Sequence, residues 1–431
     1  MLLNRNGRVF FSFCTPLCLA VLATGTCSLT LGGSTRQSAP LQFPEEGFET
    51  AIDFWTRVFT AYGENEYLLH DPEDLRLVYR VVSVRAVEES QRPDFLRKQK
   101  EQMRDWLRQI GNGSAGGSSQ VADLQNRLRM LDYGVTPALT EKLAGRLRYQ
   151  RGIRERFQAG LVRSGAYFKL MRQTLAAEGV PEDLAYLPHV ESSFAYDARS
   201  RAGAVGVWQL MSGTGRPLVK INWVVDERLD PIRATQAAAR ILKTNCDALG
   251  NWPLAITAYN HGRNGMARAR AQFGDDLRKI IGSYQSPAFG FASKNFYAEF
   301  LAARRIAKAP AQYFGAVHPA KPVRYRSVVL ERSASIASVA AKHRVSRDIL
   351  REYNPHLGPR VWAGRLALPA GLEIRLPEVA GPVPDKGYRV AKGDTLTSIA
   401  RRFGLSVEII QQANGLADPH KLLLGQILLI P

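Results

Sequence analysis

Two octapeptides near the C-terminus, VAAKHRVS from Val339 and IARRFGLS from Ile399, repeat at an offset of 60 residues, and Asn354 and Asn414 repeat at the same offset. A repeat of this size means one small module, duplicated. Each copy reads as a strand-like start, two short helices and a strand-like end. The end falls at Arg365–Leu368 in the first copy and at Gln426–Ile430 in the second. The Pro/Gly/Asp stretch Pro377–Gly387 is the linker between them. Duplication thus sets the C-terminal part of the 431 residues as two α+β modules. The remainder, in a chain that is 45% hydrophobic, can bury cores of its own.

Ahead of the repeats the apolar spacing is helical. Phe48, Ile52, Trp55, Phe59 and Tyr62 fall at 4-3-4-3 intervals. Asp71-Pro72-Glu73 predicts a helix start leading into Leu75, Val78 and Val82. Pro93 opens a helix through Trp106 and Ile110, and Gly111–Ser119 (GNGSAGGSS) reads as a flexible linker. Thr136-Pro137 caps the next helix, and Arg146 to Arg163 reads as a basic helix with Ile153, Phe157 and Leu161 inward. A helix from Tyr167 to Ala177 stops at Gly179, and Asp230-Pro231 and Trp252-Pro253 start two more. Phe296, Phe300 and Ala303 share one face of the last. Nothing from Met1 to Ala309 reads as a sheet, so this part is expected to be all-α.

The formal charge is +19, which calls for a polyanionic partner such as anionic lipid, cell-wall polymer or nucleic acid. The charge is diffuse, without a basic block or base-stacking motif, so nucleic acid is not expected as a partner. Arg5 and Arg8 precede an apolar run from Val9 to about Leu31, broken by Pro16. Residues 1–31 therefore read as a secretory signal, with an uncleaved membrane anchor as the alternative. A lipoprotein at Cys27 ranks last, because Thr24-Gly25-Thr26 is a poor acylation box. Cys14, Cys18 and Cys27 lie in this segment, leaving Cys246 alone in the body, and the seven histidines are scattered. No metal or other cofactor is expected.

One stretch carries chemistry: LPHVESSFAYDARSRAGAVGVWQLMSGTG, from Leu187 to Gly215. Glu191 follows an apolar turn, and a carboxyl beside apolar residues has the raised pKa that a general acid needs. The run Ala202, Gly203, Ala204, Gly206 lets a bulky ligand approach the backbone. No second acid lies beside Glu191 in sequence; Asp197, Asp226 and Asp230 are the candidates if the fold brings one in.

The segment from Tyr388 to Pro431, YRVAKGDTLTSIARRFGLSVEIIQQANGL…LLGQILLIP, closely resembles a LysM module, a βααβ domain that binds N-acetylglucosamine-containing glycans. The resemblance places the sugar along Gly393, Asp394, Thr395 and Leu396 and along Asn414 to Leu416. The first copy has Ser333-Ala334-Ser335 where Gly-Asp-Thr should stand, and keeps Asn354. Four blocks resemble the SLT (goose-lysozyme-like) domain of lytic murein transglycosylases. They are ESSF at Glu191, AGAVGVWQLM at Ala202–Met211, DERLDP from Asp226 and AITAYNHG at Ala255–Gly262. With LysM modules attached, the resemblance is to the membrane-bound type D branch. Ser212-Gly213 after Met211, and His261 after Tyr-Asn, depart from that pattern.

The resemblance implies an all-α lysozyme-like domain with an N-terminal helical extension, followed by two LysM-type modules. The expected bounds are 1–31 for the signal or anchor, 40–119 for the helical region, 120–310 for the SLT domain, and 322–377 and 386–431 for the modules. It implies Glu191 as the acid that cleaves between N-acetylmuramic acid and N-acetylglucosamine in peptidoglycan and then, as carboxylate, closes a 1,6-anhydro ring. Tyr259 would orient Glu191 or the substrate's acetamido group, and Ser192, Gln209, Met211 and Asn260 would bind substrate. The setting would be the periplasm or cell envelope. A lysozyme-type hydrolase using the same Glu191 and a non-catalytic wall-binding scaffold are the alternatives.

Overall fold

The Phe48–Tyr62 stripe folds as its spacing predicts. A computed structural model describes residues 43–114, 118–378, 388–391, 393–403, 405–416 and 418–430. In it the stripe forms helix α1 (Glu49–Thr60), with Ile52, Phe54, Trp55, Val58 and Phe59 buried. These side chains join Phe157, Trp208, Tyr297 and Phe300 in the larger hydrophobic core.

The expectation of no sheet before Ala309 is wrong. Strands β1 (Glu66–His70), β2 (Val78–Ser83) and β3 (Arg148–Arg151) form an antiparallel sheet in the order β2-β1-β3. Asp71-Pro72-Glu73 starts no helix. The Asp71 carboxylate accepts from the amides of Glu73 (2.7 Å) and Asp74 (3.1 Å), as a helix cap would. The chain instead turns back, and the Asp71 amide donates to the Leu77 carbonyl at 3.0 Å, joining β1 to β2. Helices α2 (Arg92–Gly111), α3 (Ser119–Met130) and α4 (Pro137–Arg146) cover this sheet. Met103, Leu107, Leu124, Leu128 and Leu143 meet Leu69, Leu77 and Tyr79 in a second core, drawn from both sides of the Gly111–Ser119 segment.

The basic helix expected from Arg146 to Arg163 is two elements. Helix α4 ends at Arg146, β3 follows, and α5 (Arg154–Ser164) begins after Gly152. Gly152 makes the break: a Cβ there would sit 2.4 Å from the Tyr62 carbonyl oxygen.

From α5 onward the chain is helical up to the modules, with isolated bridges and no strand among the described residues. The helices are α6 (Phe168–Ala177), α7 (Leu187–Glu191), α8 (Ser212–Gly215), α9 (Pro231–Leu249), α10 (Trp252–His261), α11 (Arg263–Phe273), α12 (Leu277–Ser283), α13 (Phe291–Lys308) and α14 (Ala311–Phe314). Asp230 caps α9 by accepting from the amides of Ile232 (2.9 Å) and Arg233 (3.1 Å). The buried Ala234, Ala237, Ala238 and Ala239 let α9 lie close to its neighbours. No helix among the described residues is long and apolar enough to cross a membrane. The signal or anchor expected in residues 1–31 lies outside the described residues, as do its three cysteines.

Each repeat is βααβ. The first has β4 (Tyr325–Val329), helices Ile336–His343 and Arg347–Tyr353, and β5 (Glu373–Pro377). The second has β6 (Tyr388–Arg389), helices Leu396–Phe403 and Val407–Ala413, and β7 (Ile427–Leu428). The closing strand of the first copy is therefore not Arg365–Leu368, where only Leu368 makes a bridge, to Ala334. The repeated asparagine is a clasp. Asn354 donates to the carbonyls of Leu350 and Arg375 and accepts from the Arg375 amide. Asn414 does the same with Ile410 and Leu429.

The first module is welded to the helical body. Arg375 of β5 pairs with Asp230 at 2.7 Å, with side chains 6% and 2% exposed. The amide of Asp226 donates to the His356 carbonyl and that of Gly358 to the Val224 carbonyl. Val225 sits inside the module's own core. The segment 356–358 follows the asparagine clasp as residues 416–418 do in the second copy. In the first copy it is occupied by the helical body.

Candidate active site

Glu191 ends a helix too short to hold itself, so its surroundings fix it. Pro181 and the helical turn Glu182–Tyr186 lead in. Asp183 is tied to α13 by Arg304 and Lys308, each at 2.7 Å. After Glu191 the chain bends through two left-handed residues, Ser193 (φ 50°) and Phe194 (φ 56°). Such residues are uncommon outside glycine and persist only where neighbours hold them. Here Arg163 donates to the carbonyls of Ser193 (2.6 Å) and Phe194 (3.2 Å). Gly160 lets α5 approach: a Cβ there would sit 2.7 Å from the Ser193 oxygen. Ser192, expected to bind substrate, is 1% exposed and donates to the Val207 carbonyl at 2.9 Å. Its hydroxyl pins the acid's turn to the next loop.

That loop, 198–211, is built around Gly206. Its φ is +80°, and a Cβ would fall 1.9 Å from the Arg228 carbonyl oxygen, so only glycine fits. Arg228 pairs with Asp226 at 2.8 Å and donates to the carbonyls of Gly203 and Leu210. Trp208 is fully buried and donates from Nε1 to Thr235 Oγ1 at 2.8 Å. Gln209, at φ 48°, donates to the Gly206 carbonyl at 2.7 Å. Met211 stays 44% exposed.

From α10, Tyr259 donates its hydroxyl to the Trp208 carbonyl at 2.9 Å, and Asn260 Oδ1 accepts from Ser293 of α13 at 2.8 Å. His261 packs against Phe289 and Tyr284 and hydrogen-bonds the Ala288 carbonyl. Tyr259 also borders a cavity of about 610 Å³ rimmed by Thr214, Arg240 and Asn264.

Burial pushes the Glu191 carboxyl up to about 8. Among the described residues nothing donates a hydrogen bond to it. Tyr259 is raised well above its ordinary value, by burial and then by the nearby Glu191 charge. Sequence reasoning missed one group. Glu299 of α13 is raised to about 8 by burial and by the Glu191 charge, offset in part by Arg148. The three acids proposed from sequence are occupied elsewhere or exposed: Asp226 on Arg228, Asp230 on the α9 cap and Arg375, and Asp197 facing solvent. A signal for Glu299 was present, since it lies between Phe296, Phe300 and Ala303 on the buried side of α13. Among the described residues no group of His, Cys, Asp and Glu could hold a metal ion.

In the second module Gly393 takes φ +91° in an exposed loop. Asp394 accepts from the Tyr388 hydroxyl and the Ala391 amide, both at 2.7 Å. Thr395 caps the following helix through the Ser398 amide (3.1 Å), Leu396 is in the core, and Leu416 is packed against it. With Asn414 spent on its clasp, these side chains shape the loops, and the backbone edges remain for a ligand.

Residues 169–281 match the model of the transglycosylase SLT domain, and residues 388–431 match that of the LysM domain. The membrane-bound lytic murein transglycosylase D of Escherichia coli K12 is 27% identical over 358 residues, covering 74% of this chain and 78% of that protein. The N-acetylmuramoyl-L-alanine amidase XlyA of Bacillus subtilis is 49% identical over 43 residues, 10% of this chain and 14% of that one. A solved chain of the lytic transglycosylase Slt of Pseudomonas aeruginosa, an inactive mutant, aligns over 51% of this chain and 37% of its own. The TM-score is 0.29 and the sequence identity 16%.

Proposed function

We propose that this chain, which joins a transglycosylase SLT domain to a C-terminal LysM domain, is a peptidoglycan lytic transglycosylase with Glu191 as its acid and base. The observation that carries the proposal is the Glu191 carboxyl held at about 8 by burial. Near neutral pH it is protonated and can give its proton to the oxygen between N-acetylmuramic acid and N-acetylglucosamine. As the C1–O4 bond breaks, O4 leaves as a hydroxyl and Glu191 becomes a carboxylate. The muramoyl C6 hydroxyl then gives its proton to Glu191 and its oxygen to C1, closing the 1,6-anhydro ring. No water is consumed, and the acid returns to its starting state.

The second carboxyl favours this route over hydrolysis. A two-carboxyl glycosidase needs one group ionised, as nucleophile or as base for water. Glu299, with its pKa also raised to about 8, stays neutral beside Glu191 near pH 7. Tyr259 is fixed by the Trp208 carbonyl next to the acid and orients the acetamido group, whose oxygen can stabilise C1 as it turns cationic. Gln209 and Met211 line the approach and Asn260 supports it from α10. Ser192 acts through the backbone it pins.

The LysM module holds the glycan through the backbone of 393–396 and 414–416, and the charge of +19 adds attraction to the anionic wall. The place of work is the bacterial envelope, reached through residues 1–31 as signal or anchor. The test is digestion of purified peptidoglycan followed by mass spectrometry of the fragments. Anhydromuramoyl ends from wild type and none from Glu191→Gln support the reading. A Glu191→Gln protein that still cuts shows that another group is the acid.

A further inference from the structure

The sheet that the sequence did not foretell reaches the catalytic helix. In the β1–β3 register His70 lies opposite Arg148. His70 is buried against Phe54 (4.8 Å) and Phe291 (5.4 Å). The Arg148 guanidinium lies over the same Phe291 ring, 4.2 Å from its centroid. Phe291 is the first residue of α13, the helix that carries Glu299 and also Ser293, the partner of Asn260. A strand from outside the SLT-matched segment thus sets a cation at the head of the helix that backs the acid.

Several other arginines are spent on ion pairs. Arg146 is paired with Asp71, Arg228 with Asp226 and Arg304 with Asp183. Among the described residues no carboxylate pairs with the Arg148 guanidinium and no group accepts a hydrogen bond from it. Stacking on Phe291 uses a face of the guanidinium and leaves its in-plane N–H donors free, in the fork that suits a carboxylate. Glu299 is near enough to feel Arg148, yet is neutral near pH 7 and leaves the positive charge unbalanced. The sugars of peptidoglycan carry neutral acetamido and hydroxyl groups, and the anionic groups of a glycan strand are the carboxylates of the peptides on its muramoyl units.

We propose that Arg148, seated on Phe291 by the N-terminal sheet, is a substrate-binding residue that receives a carboxylate of the muramoyl stem peptide. The inference rests on the peptidoglycan reading above. It gives the N-terminal sheet a role at the site, as the carrier of a specificity-determining cation.

The test compares glycan strands bearing intact stem peptides with the same strands after their carboxyls are converted to amides. For wild type, amidation should raise KM roughly ten-fold, with the loss in KM rather than kcat. Arg148→Gln should show the raised KM on both substrates, and Arg148→Lys, which keeps the charge without the fork, should fall between. An Arg148→Gln protein as sensitive to amidation as wild type overturns the proposal. So does an equal fall in kcat on both substrates with a displaced pH profile, which would mean that Arg148 acts on Glu299 instead. If Arg148→Gln melts early, Arg148→Lys alone decides: a reduced amidation sensitivity in a stably folded Lys variant supports the carboxylate contact, and sensitivity and KM equal to those of wild type overturn it. A wild type that cuts neither substrate removes the peptidoglycan premise itself, a failure distinct from insensitivity of an active enzyme.

Discussion

Replacing Glu191 by Gln should abolish cleavage and stabilise the fold, and the stabilisation should depend on pH in a fixed sense. The carboxyl is ordinary, near 4.5, in the unfolded chain and about 8 in the folded one. Between those values the folded protein keeps a proton that the unfolded chain gives up. Stability is therefore unaffected below 4.5, falls as pH rises through the interval, and reaches its full loss above 8. At about 1.36 kcal/mol for each pH unit, the interval sets a ceiling near ~5 kcal/mol. Glu191 is half-buried, and its remaining contact with solvent reduces the recoverable part to about 2 kcal/mol. In a domain this size that is roughly 4–8 °C in the unfolding midpoint. The assay is calorimetry of wild type and Glu191→Gln at pH 4 and pH 8.5. The midpoints should coincide at pH 4 and separate at pH 8.5, with the variant higher. A separation independent of pH, or a variant that melts lower at pH 8.5, would refute burial as the cause of the raised pKa.

Glu299 is held neutral by burial and by the Glu191 charge, while the Glu191 shift comes from its own burial. Glu299→Gln should therefore leave the alkaline limb of the pH–rate profile in place, with the rate near neutrality held within about ten-fold; a loss of about a thousand-fold would make Glu299 a second catalytic carboxyl of a hydrolase. Gly206→Ala forces a Cβ onto the Arg228 carbonyl at a positive φ, and should cost about 3 kcal/mol or more, read as a lower unfolding midpoint. Arg375→Met strands the buried Asp230 carboxylate and should cost about 3–5 kcal/mol, lowering the midpoint of the helical body as well as that of the first module. An unchanged midpoint for the helical body would mean that the seam is not structural.

Two helices were legible in the sequence because an apolar stripe and a cap agreed: Thr136 and Leu143 for α4, Asp230 and the alanine face for α9. The hairpin β1–β2 was lost because its cues are ambiguous. An aspartate accepting two following amides begins a helix or a turn equally well, and Val78 and Val82, four apart, share a face in either a helix or a strand. The proposed acid, Glu191, was legible from local chemistry, since its apolar turn and glycine loop adjoin it in the chain. Glu299 was not, because its proximity to Glu191 arises only when α13 packs on α7. Asp226 and Asp230 were nearer in sequence, but Arg228 and Arg375 consume them. The clasp made by Asn414 also escaped, because a polar residue repeated in two modules reads equally as ligand contact or as hydrogen-bonded scaffold.

In the proposed mechanism Glu191 serves twice and water not at all. It is tested most directly by digesting peptidoglycan in water enriched in heavy oxygen and weighing the new muramoyl ends. The new ends should be one water lighter than a reducing sugar and free of label. Reducing ends carrying the heavy oxygen would contradict it and make the protein a hydrolase.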